Sequence, residues 1–303
     1  MKKHPIVFNS LSQLHKAVGQ PTPSHPLIGI INYGEAIFDP KDYKNGIILD
    51  FYKISFKTSF SGKIRYGQGY YDFEEGGMAF TAPGQILRMQ DEEADYDGMT
   101  LHIHPDFLRP YPLGTQIKQF GFFNYSAAEA LYLSENEKEK ILHIYRFIQD
   151  ELRERIDKFS QDVIISQIEL LLNYCNRFYD RQFLTRKAVN NDILAKLESL
   201  LGNYLSDQKA LVNGLPSVNT IAVQLNLTPR YLSDLLRNLT GQTTQQFIHQ
   251  KLIEKAKEYL AKDHLTVAEV AYQLGFEYPQ SFNKLFKSKT ALSPLDYKKS
   301  LLN

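Results

Sequence analysis

The chain of 303 residues is 43% hydrophobic and 23% charged, with a net charge of +1 at pH 7. This composition is typical of a soluble protein long enough for two domains, and it excludes disordered and collagen-like classes. The longest apolar stretches fall far short of the roughly 20 residues that cross a bilayer, and the N-terminus has no apolar core of signal-peptide length. The single cysteine, Cys175, cannot form an internal disulfide, which fits a reducing compartment. We therefore expect a cytoplasmic protein with no membrane partner.

Charge is uneven along the chain. From Lys187 to Asn303 there are 14 Lys and Arg against 10 Asp and Glu, whereas the preceding residues are slightly acidic. This asymmetry is expected when one part of a protein meets phosphate, although many solvated domains carry a similar charge.

The first 115 or so residues are predicted to be mostly β-strand. Short segments rich in Ile, Val, Phe, Tyr and Thr alternate with Gly, Pro, Asp and Ser turns. Strands at that spacing indicate a sandwich or a small barrel. Ser10 is predicted to cap a short helix in front of them.

The periodicity becomes helical from Ser134. Ser134 and Glu137 form a capping box ahead of a long amphipathic helix, and a second helix is predicted from about Gln161 to Tyr179. These two helices are the predicted bridge between the halves of the chain. The polar segment that follows, residues 181–191, is the predicted linker, and everything after it is predicted to be helical.

The C-terminal third repeats itself, and this is the most informative feature of the sequence. Ile221 corresponds to Val270 at an offset of 49, and Pro229 corresponds to Pro279 at an offset of 50. Each copy has the parts of a helix-turn-helix: a capping residue, a small alanine that lets two helices cross closely, and a turn residue that tolerates positive φ. The turn residues are Asn226 in the first copy and Gly275 in the second.

In each copy the second helix has an apolar stripe and a polar face. The predicted helix from Pro229 to Thr240 exposes Arg230, Ser233, Asp234 and Arg237. The predicted helix from Pro279 to Lys289 exposes Gln280, Asn283, Lys284 and Lys287.

These residue types suit DNA, since Gln or Asn pairs with adenine, and Arg or Lys pairs with guanine. A solvated polar face would look similar, and an ordinary pair of helical hairpins would show the same repeat. Two such faces joined by one helix, from about Thr243 to Leu260, could enter successive major grooves about 34 Å apart. We therefore predict that the eight polar residues form a DNA-binding surface.

Residues 266–300 resemble the signature of AraC/XylS-type transcription regulators in the run TVAEVAYQLGFEYPQSFNKLFKSKTALSPLDYKKS. The matching positions are Ala271, Gly275, Phe276, Ser281, Phe282, Phe286, Lys287, Pro294 and Tyr297. The first unit, residues 221–241, matches more loosely.

The resemblance implies a two-unit DNA-binding module, usually found within dimers, that commonly activates transcription by touching RNA polymerase. It also implies the base-reading positions, which are Arg230, Ser233 and Asp234 in the first helix and Pro279, Gln280 and Lys284 in the second. The chain departs from the family pattern at four positions. Many members have arginine at Asp234 and glycine at Ala291, and arginine is common at Lys251 and Lys298.

The N-terminal half is similar to the cupin-type sensor domain that many such regulators carry. The resemblance implies a barrel that can hold a small ligand, with four aromatic candidates, although aromatic residues in strands more often belong to the core. The four candidates are Tyr66, Tyr70, Tyr71 and Phe73.

His102 and His104 stand two apart on a predicted strand, so they point to the same face and are candidates for a metal site. A metal-dependent cupin enzyme would offer a carboxylate about four residues later, where this chain has Leu108. We therefore expect no metal, no cofactor and no catalytic residue. Cys175 lies beside leucines on a predicted helix and is expected to be a buried apolar side chain.

The sequence thus predicts an α+β multidomain protein. The predicted parts are a cupin-like β-barrel sensor domain at 1–133, a helical dimerisation segment at 134–180, a linker at 181–191 and an all-α DNA-binding domain at 192–303. The last contains two helix-turn-helix units, 218–241 and 267–288. The predicted function is sequence-specific transcription regulation, controlled by a small-molecule effector or by homodimerisation, with double-stranded DNA and RNA polymerase as partners. The alternatives are a cupin-type metal-dependent enzyme with an appended helical module, and a purely structural helical adaptor.

Overall fold

The computed structural model describes residues 4–37, 43, 45–61, 63–66, 69–72, 76–87, 95–126, 129–154, 157–206, 209–262 and 264–301. The chain divides into two compact units, Met1–Gln182 and Phe183–Asn303.

The described part of the first unit contains short strands and a few helices. The strands are Ile6–Phe8 (β1), Ile28–Asn32 (β2), Ile47–Leu49 (β3), Tyr52–Ser61 (β4), Lys63–Tyr66 (β5), Gly69–Asp72 (β6), Gly77–Thr81 (β7), Ile86–Leu87 (β8), Asp95–Ile103 (β9) and Leu131–Tyr132 (β10). The helices are Leu11–Ala17 (α1), Pro105–Leu108 (α2), Leu113–Gln116 (α3), Glu135–Arg153 (α4) and Ser160–Thr185 (α5), and the last continues across the division between the units. The caps predicted at Ser10 and Ser134 are confirmed, because Ser10 accepts from the Gln13 amide and Glu137 accepts from the Ser134 amide.

The strands form three sheets rather than one closed surface. Their orders are β1-β3-β8, β10-β7-β4-β9-β2 and β5-β6. Closing a barrel requires hydrogen bonds between the edge strands, and the edge strand β10 has only two residues. The mixed α+β class is therefore confirmed, whereas a closed cupin barrel is not seen in the part of the chain that is described.

Helices α4 and α5 pack on one face of the five-stranded sheet. The Tyr145 hydroxyl donates to the Ile54 carbonyl over 2.7 Å, and the Tyr145 ring lies 5.9 Å from the ring of Phe56. From α5, the Cys175 sulfur lies 3.6 Å from the sulfur of Met78. Cys175 is fully buried, as predicted, and burial raises the pKa of its thiol. This face of the sheet is therefore the apolar core of the first unit.

The predicted linker, 181–191, is helical except at Arg186, and the division between the two units falls within it. It spans the end of α5 and the start of Lys187–Ser206 (α6). Its polar side chains bind neighbouring groups of their own units: Gln182 accepts from the Tyr132 amide, and the Asn190 amide donates to the Phe183 carbonyl over 2.6 Å. Polar composition suggested exposure here, but the side chains satisfy buried backbone groups instead.

The second unit is all helical in its described residues. After α6, its helices are Lys209–Asn213 (α7), Val218–Gln224 (α8), Pro229–Thr240 (α9), Thr244–Leu260 (α10), Val267–Gln273 (α11), Pro279–Thr290 (α12) and Pro294–Ser300 (α13). The helix pairs α8–α9 and α11–α12 are the two predicted helix-turn-helix units.

The turns of the two units have the predicted left-handed backbone. Asn226 has a φ of 56° and Gly275 has a φ of 88°. A Cβ at Gly275 would lie 2.6 Å from the backbone carbon of Gly214, so this position also needs a residue without a side chain. The same turn chemistry thus appears twice, and it is more tightly constrained in the second copy.

Ala291 ends α12 with a φ of 63°, in the left-handed region. Gly241 ends α9 at the equivalent position of the first helix-turn-helix, with a φ of 72°. A left-handed conformation costs a non-glycine residue roughly 1–2 kcal/mol, partly offset by the larger unfolded-state entropy of glycine. We expect Ala291→Gly to raise the free energy of unfolding of the second unit by about 1 kcal/mol. Urea denaturation of the full chain measures this change.

The matched control is Ala261→Gly, because exposed Ala261 ends α10 with a φ of −71°, where alanine is unstrained. Glycine at that position should lower stability. Equal destabilisation by both substitutions would show that Ala291 stores no backbone strain.

Candidate nucleic-acid interface

Helix α9 is anchored so that one face stays outward. Its first turn is fixed by Thr228, whose hydroxyl accepts from the Tyr231 amide over 3.2 Å, and by proline at the first helical position. The predicted apolar stripe is buried at Leu232, Leu235 and Leu236. Because helical neighbours stand three and four residues apart, this burial leaves Arg230 and Arg237 together on the opposite face.

Asp234 lies between these two arginines and pairs with both. Its Oδ2 accepts from Arg230 Nε over 2.8 Å, and its Oδ1 lies 3.6 Å from Arg237 Nη1. The Asp234 side chain is 15% exposed, whereas those of Arg230 and Arg237 are 46% and 58% exposed. The carboxylate therefore lies beneath the guanidinium groups and orients them, while the arginines form the outer surface.

Ser233 is directed toward the next helix. Its Oγ lies 3.0 Å from Thr244 Oγ1, and Thr244 is fully buried at the start of α10. Ser233 is thus half-buried and joins α9 to α10, and it is separate from the exposed pair formed by Arg230 and Arg237.

Helix α12 exposes its whole predicted polar face. Phe282 and Phe286 are fully buried, and the outward side chains have no hydrogen bond or ion pair with any other described residue. These outward side chains are Gln280, Asn283, Lys284 and Lys287. Unpaired amides and ammonium groups along one helix face are available to hydrogen-bond base edges and phosphates.

The two helices are held at opposite ends of α10. At its start, Thr244 contacts Ser233 of α9. Near its end, the Lys257 ammonium lies 5.8 Å from the ring of Tyr297, which packs on Phe286 of α12 with ring centroids 5.5 Å apart. A helix of 17 residues spans about 25 Å. Because α9 and α12 contact different ends of α10, the two polar helices are kept apart, as contact with two stretches of one duplex requires.

Sequence comparison identifies this part of the chain. A family model described as a helix-turn-helix domain matches residues 221–300. Those residues contain α9, α10 and α12, and the match extends over both polar helices. The C-terminal residues form an AraC-type helix-turn-helix domain.

Two curated relatives match part of the chain. The Msm operon regulatory protein of Streptococcus mutans is 31% identical over 86 residues, which cover 28% of this chain and 31% of that protein. The transcriptional activator RhaS of Salmonella paratyphi B is 30% identical over 137 residues, or 45% of each protein. The chain thus matches less than half the length of these relatives.

Solved structures of AraC-type proteins are also similar. The C-terminal domain of the response regulator yesN from Fusobacterium nucleatum is 28% identical, with a TM-score of 0.29, over 33% of this chain and 95% of that one. ToxT from Vibrio cholerae is 16% identical, with a TM-score of 0.31, over 84% of this chain and 92% of that one.

Two departures from the AraC-type pattern have structural roles. Lys298 donates to the carbonyls of Lys262 and Leu265, which follow α10. Lys251 lies 3.2 Å from Glu198 of α6 and 3.3 Å from Glu254. A lysine can make these contacts because neither needs the two-pronged geometry of arginine.

Asp234 stands where many AraC-type proteins have arginine, and a carboxylate can accept a hydrogen bond from cytosine. In the structure the Asp234 carboxylate forms ion pairs with Arg230 and Arg237. The signal was present, because acids and bases three and four residues apart on a helix are neighbours.

The candidate metal residues of the first unit are not arranged as a pair. His102 lies in β9, whereas His104 follows the strand and accepts from the Asp106 amide at the start of α2. The residues that are described contain no group of three or more His, Cys, Asp or Glu that could hold a metal. The enzyme alternative therefore gains no support. Phe73 and the side chains of the candidates Tyr66, Tyr70 and Tyr71 lie outside the described residues.

Within the described ranges, no helix combines the length and the apolar character needed to cross a bilayer.

Proposed function

We propose that this protein is a sequence-specific DNA-binding transcription regulator of the AraC type. The observation that carries the proposal is the pair of exposed polar faces, on α9 and α12, held at opposite ends of α10. The basic excess of the C-terminal third supports it, since affinity for DNA comes largely from phosphate contacts.

Each polar face has a distinct chemistry toward DNA. On α9, Arg230 and Arg237 suit guanine O6 and N7 or a phosphate, and Asp234 orients them. On α12, Gln280 and Asn283 suit adenine. Lys284 suits guanine or a phosphate, and Lys287 suits phosphate.

The N-terminal unit is proposed to regulate this activity. A cupin-like sensor at 1–133 would bind a small effector, and the helices at 134–180 would pair two copies of the chain. Effector or pairing would then shift the population of states in which both recognition helices can meet one duplex. RhaS is named as an activator, so we propose activation through contact with RNA polymerase, in the cytoplasm, with no catalytic step.

A pair of substitutions on α12 tests the DNA-binding function. Gln280→Ala should cost about 1–3 kcal/mol with the preferred duplex and relax the preference at one base pair. Lys287→Ala should weaken binding to all duplexes about equally and reduce the salt slope by about one. Titration of labelled duplexes with the full chain at several salt concentrations measures both effects.

The control is Lys118→Ala, at an exposed lysine of the first unit that should leave binding unchanged. If neither Gln280→Ala nor Lys287→Ala altered binding, the second unit would be a structural adaptor and the proposal would fail. If the wild-type chain bound every duplex equally, the protein would bind DNA without sequence choice.

A further inference from the structure

The five-stranded sheet of the first unit has a polar second face, opposite the one covered by α4 and α5. Residues directly paired across strands point to the same side of a sheet. Lys53 of β4 pairs with His102 of β9, and Ser55 of β4 pairs with Thr100 of β9. We call these four residues the polar face.

The polar face is buried, although its composition is that of a surface. Ser55, Thr100 and His102 are 5%, 3% and 2% exposed, and Lys53 is half-buried. Ile31, which pairs with Thr100, belongs to the apolar cluster formed by α1, β1 and β3. The polar face therefore points into the interior of the unit, toward that cluster.

Two atoms of the polar face have no hydrogen-bond partner among the residues that the structure describes. They are Thr100 Oγ1 and His102 Nδ1, both buried. Leaving such a group unpaired is costly, so native proteins seldom keep one without a purpose. Ser55 Oγ accepts from the Tyr33 hydroxyl over 2.9 Å, which leaves its own proton to donate elsewhere.

The polar face also carries a positive charge, at Lys53. Among the described residues, no carboxylate pairs with the Lys53 ammonium. Burial and the charge of Lys53 lower the pKa of nearby Lys57 to about 7. Burial, together with Lys53 and His15, lowers the pKa of His102 well below its usual value, so its imidazole is neutral and carries one N–H at neutral pH.

We propose that the polar face binds the anionic group of a small molecule, through the charge of Lys53 and hydrogen bonds from Thr100, His102 and Ser55. The inference rests on the proposed function, since it names the chemical class of the effector. One ammonium and several neutral donors match a single carboxylate or phosphate group, because charge-assisted hydrogen bonds are the strong ones. A neutral sugar would leave the ammonium without a counter-charge.

Thermal unfolding of the full chain with matched probes tests the site. The anionic probes are sodium benzoate and glucose 6-phosphate, and their neutral counterparts are benzamide and glucose, all at one ionic strength. A ligand that binds only the folded state raises the unfolding midpoint. We expect the unfolding midpoint to rise with at least one anion and not with its neutral counterpart. A rise with benzoate indicates a carboxylate ligand, and a rise with glucose 6-phosphate indicates a phosphate ligand.

Variants of the polar face connect the shift to these residues. Lys53→Met should lower the affinity for the active probe roughly tenfold or more. The unfolding midpoint of the ligand-free variant should be equal to that of the wild type or higher, because the substitution removes an uncompensated, partly buried charge. Thr100→Val keeps the shape and removes only the unpaired hydroxyl, so it tests the site even if Lys53→Met fails to fold. Lys118→Met, at the exposed control lysine, should keep the full shift.

Three results would overturn the site: no shift with either anion, equal shifts with the neutral counterparts, or an undiminished shift in both Lys53→Met and Thr100→Val. Duplex binding measured on the same samples separates this inference from the proposed function. If the chain bound DNA with sequence preference but showed no anion effect, only the anion site would be contradicted. If the chain bound an anion but no duplex, the anion site would stand and the proposed regulatory function would be contradicted.

Discussion

Replacing Phe282 by alanine is expected to destabilise the C-terminal unit by about 3–5 kcal/mol. The Phe282 ring is fully buried, and its centroid lies 5.4 Å from that of Phe276 and 5.6 Å from that of Phe286. These contacts hold α12 in place, so their loss removes both packing energy and the orientation of the polar face. This loss is a large fraction of a typical domain stability, which is about 5–15 kcal/mol.

Two measurements follow the Phe282→Ala variant: chemical unfolding of the full chain and titration with the preferred duplex. Binding should fall with stability, because Gln280 and Lys284 depend on the same helix. Tyr278→Ala is the control, since Tyr278 is 59% exposed and its loss should change stability by no more than about 0.5 kcal/mol. A folded Phe282→Ala chain with unchanged DNA affinity would show that α12 is not a recognition helix.

Within the first helix-turn-helix, Arg230→Ala is expected to have the largest effect on DNA binding. A bidentate contact from arginine to guanine is worth about 1–3 kcal/mol of discrimination, so affinity for the preferred duplex should fall and the preference at one base pair should relax. Arg153→Ala, at an exposed arginine of α4, is the control. If the base preference of Arg230→Ala were the same as that of the wild type, Arg230 on α9 would not take part in base recognition.

Asp234→Asn distinguishes an orienting carboxylate from one that reads a base. The substitution removes a negative charge beside the duplex, so binding to unrelated DNA should strengthen. The preference at the Arg230 base pair should weaken, because the ion pair that holds Arg230 Nε is lost. A preference lost instead at a separate base pair would mean that Asp234 contacts a base itself.

The helical third of the fold could be predicted because local signals and periodicity agree there. The caps at Thr228 and Thr266, the turn residues Asn226 and Gly275, and the apolar stripes all specify the same helix pairs. Ala291 takes the same left-handed conformation that Gly241 takes in the first helix-turn-helix. The backbone conformation at this helix end is therefore set by its place in the fold rather than by the residue type.

Contacts between helices could not be predicted in the same way. Ser233 lies on the polar side of α9 by periodicity, yet α10 crosses close enough for Thr244 to contact it. The hydrogen bonds of Gln182 and Asn190 could not be predicted either, because polarity alone does not separate exposed side chains from those that satisfy buried backbone groups. His104 caps α2 because Pro105 ends the strand and starts a helix, which the sequence indicated only for the strand end.

The polar face of the first unit had a sequence signal that was not used. Lys53, Ser55 and Lys57 alternate with Ile54 and Phe56, which is the pattern of a strand with one apolar and one polar side. The pattern predicts solvent on the polar side. Only the register with β9 places Thr100 and His102 on this side, and their burial shows that the side faces the interior.

Selection of duplexes from a random pool by the full chain tests the central claim most directly, when it is repeated with Arg230→Ala and Gln280→Ala. The wild-type chain should enrich two short blocks of preferred bases separated by about one helical turn, roughly 10 base pairs. Arg230→Ala should erase preference in one block, and Gln280→Ala should erase preference in the other. Enrichment without base preference, or loss of the same block in both variants, would contradict two separate recognition helices on one duplex.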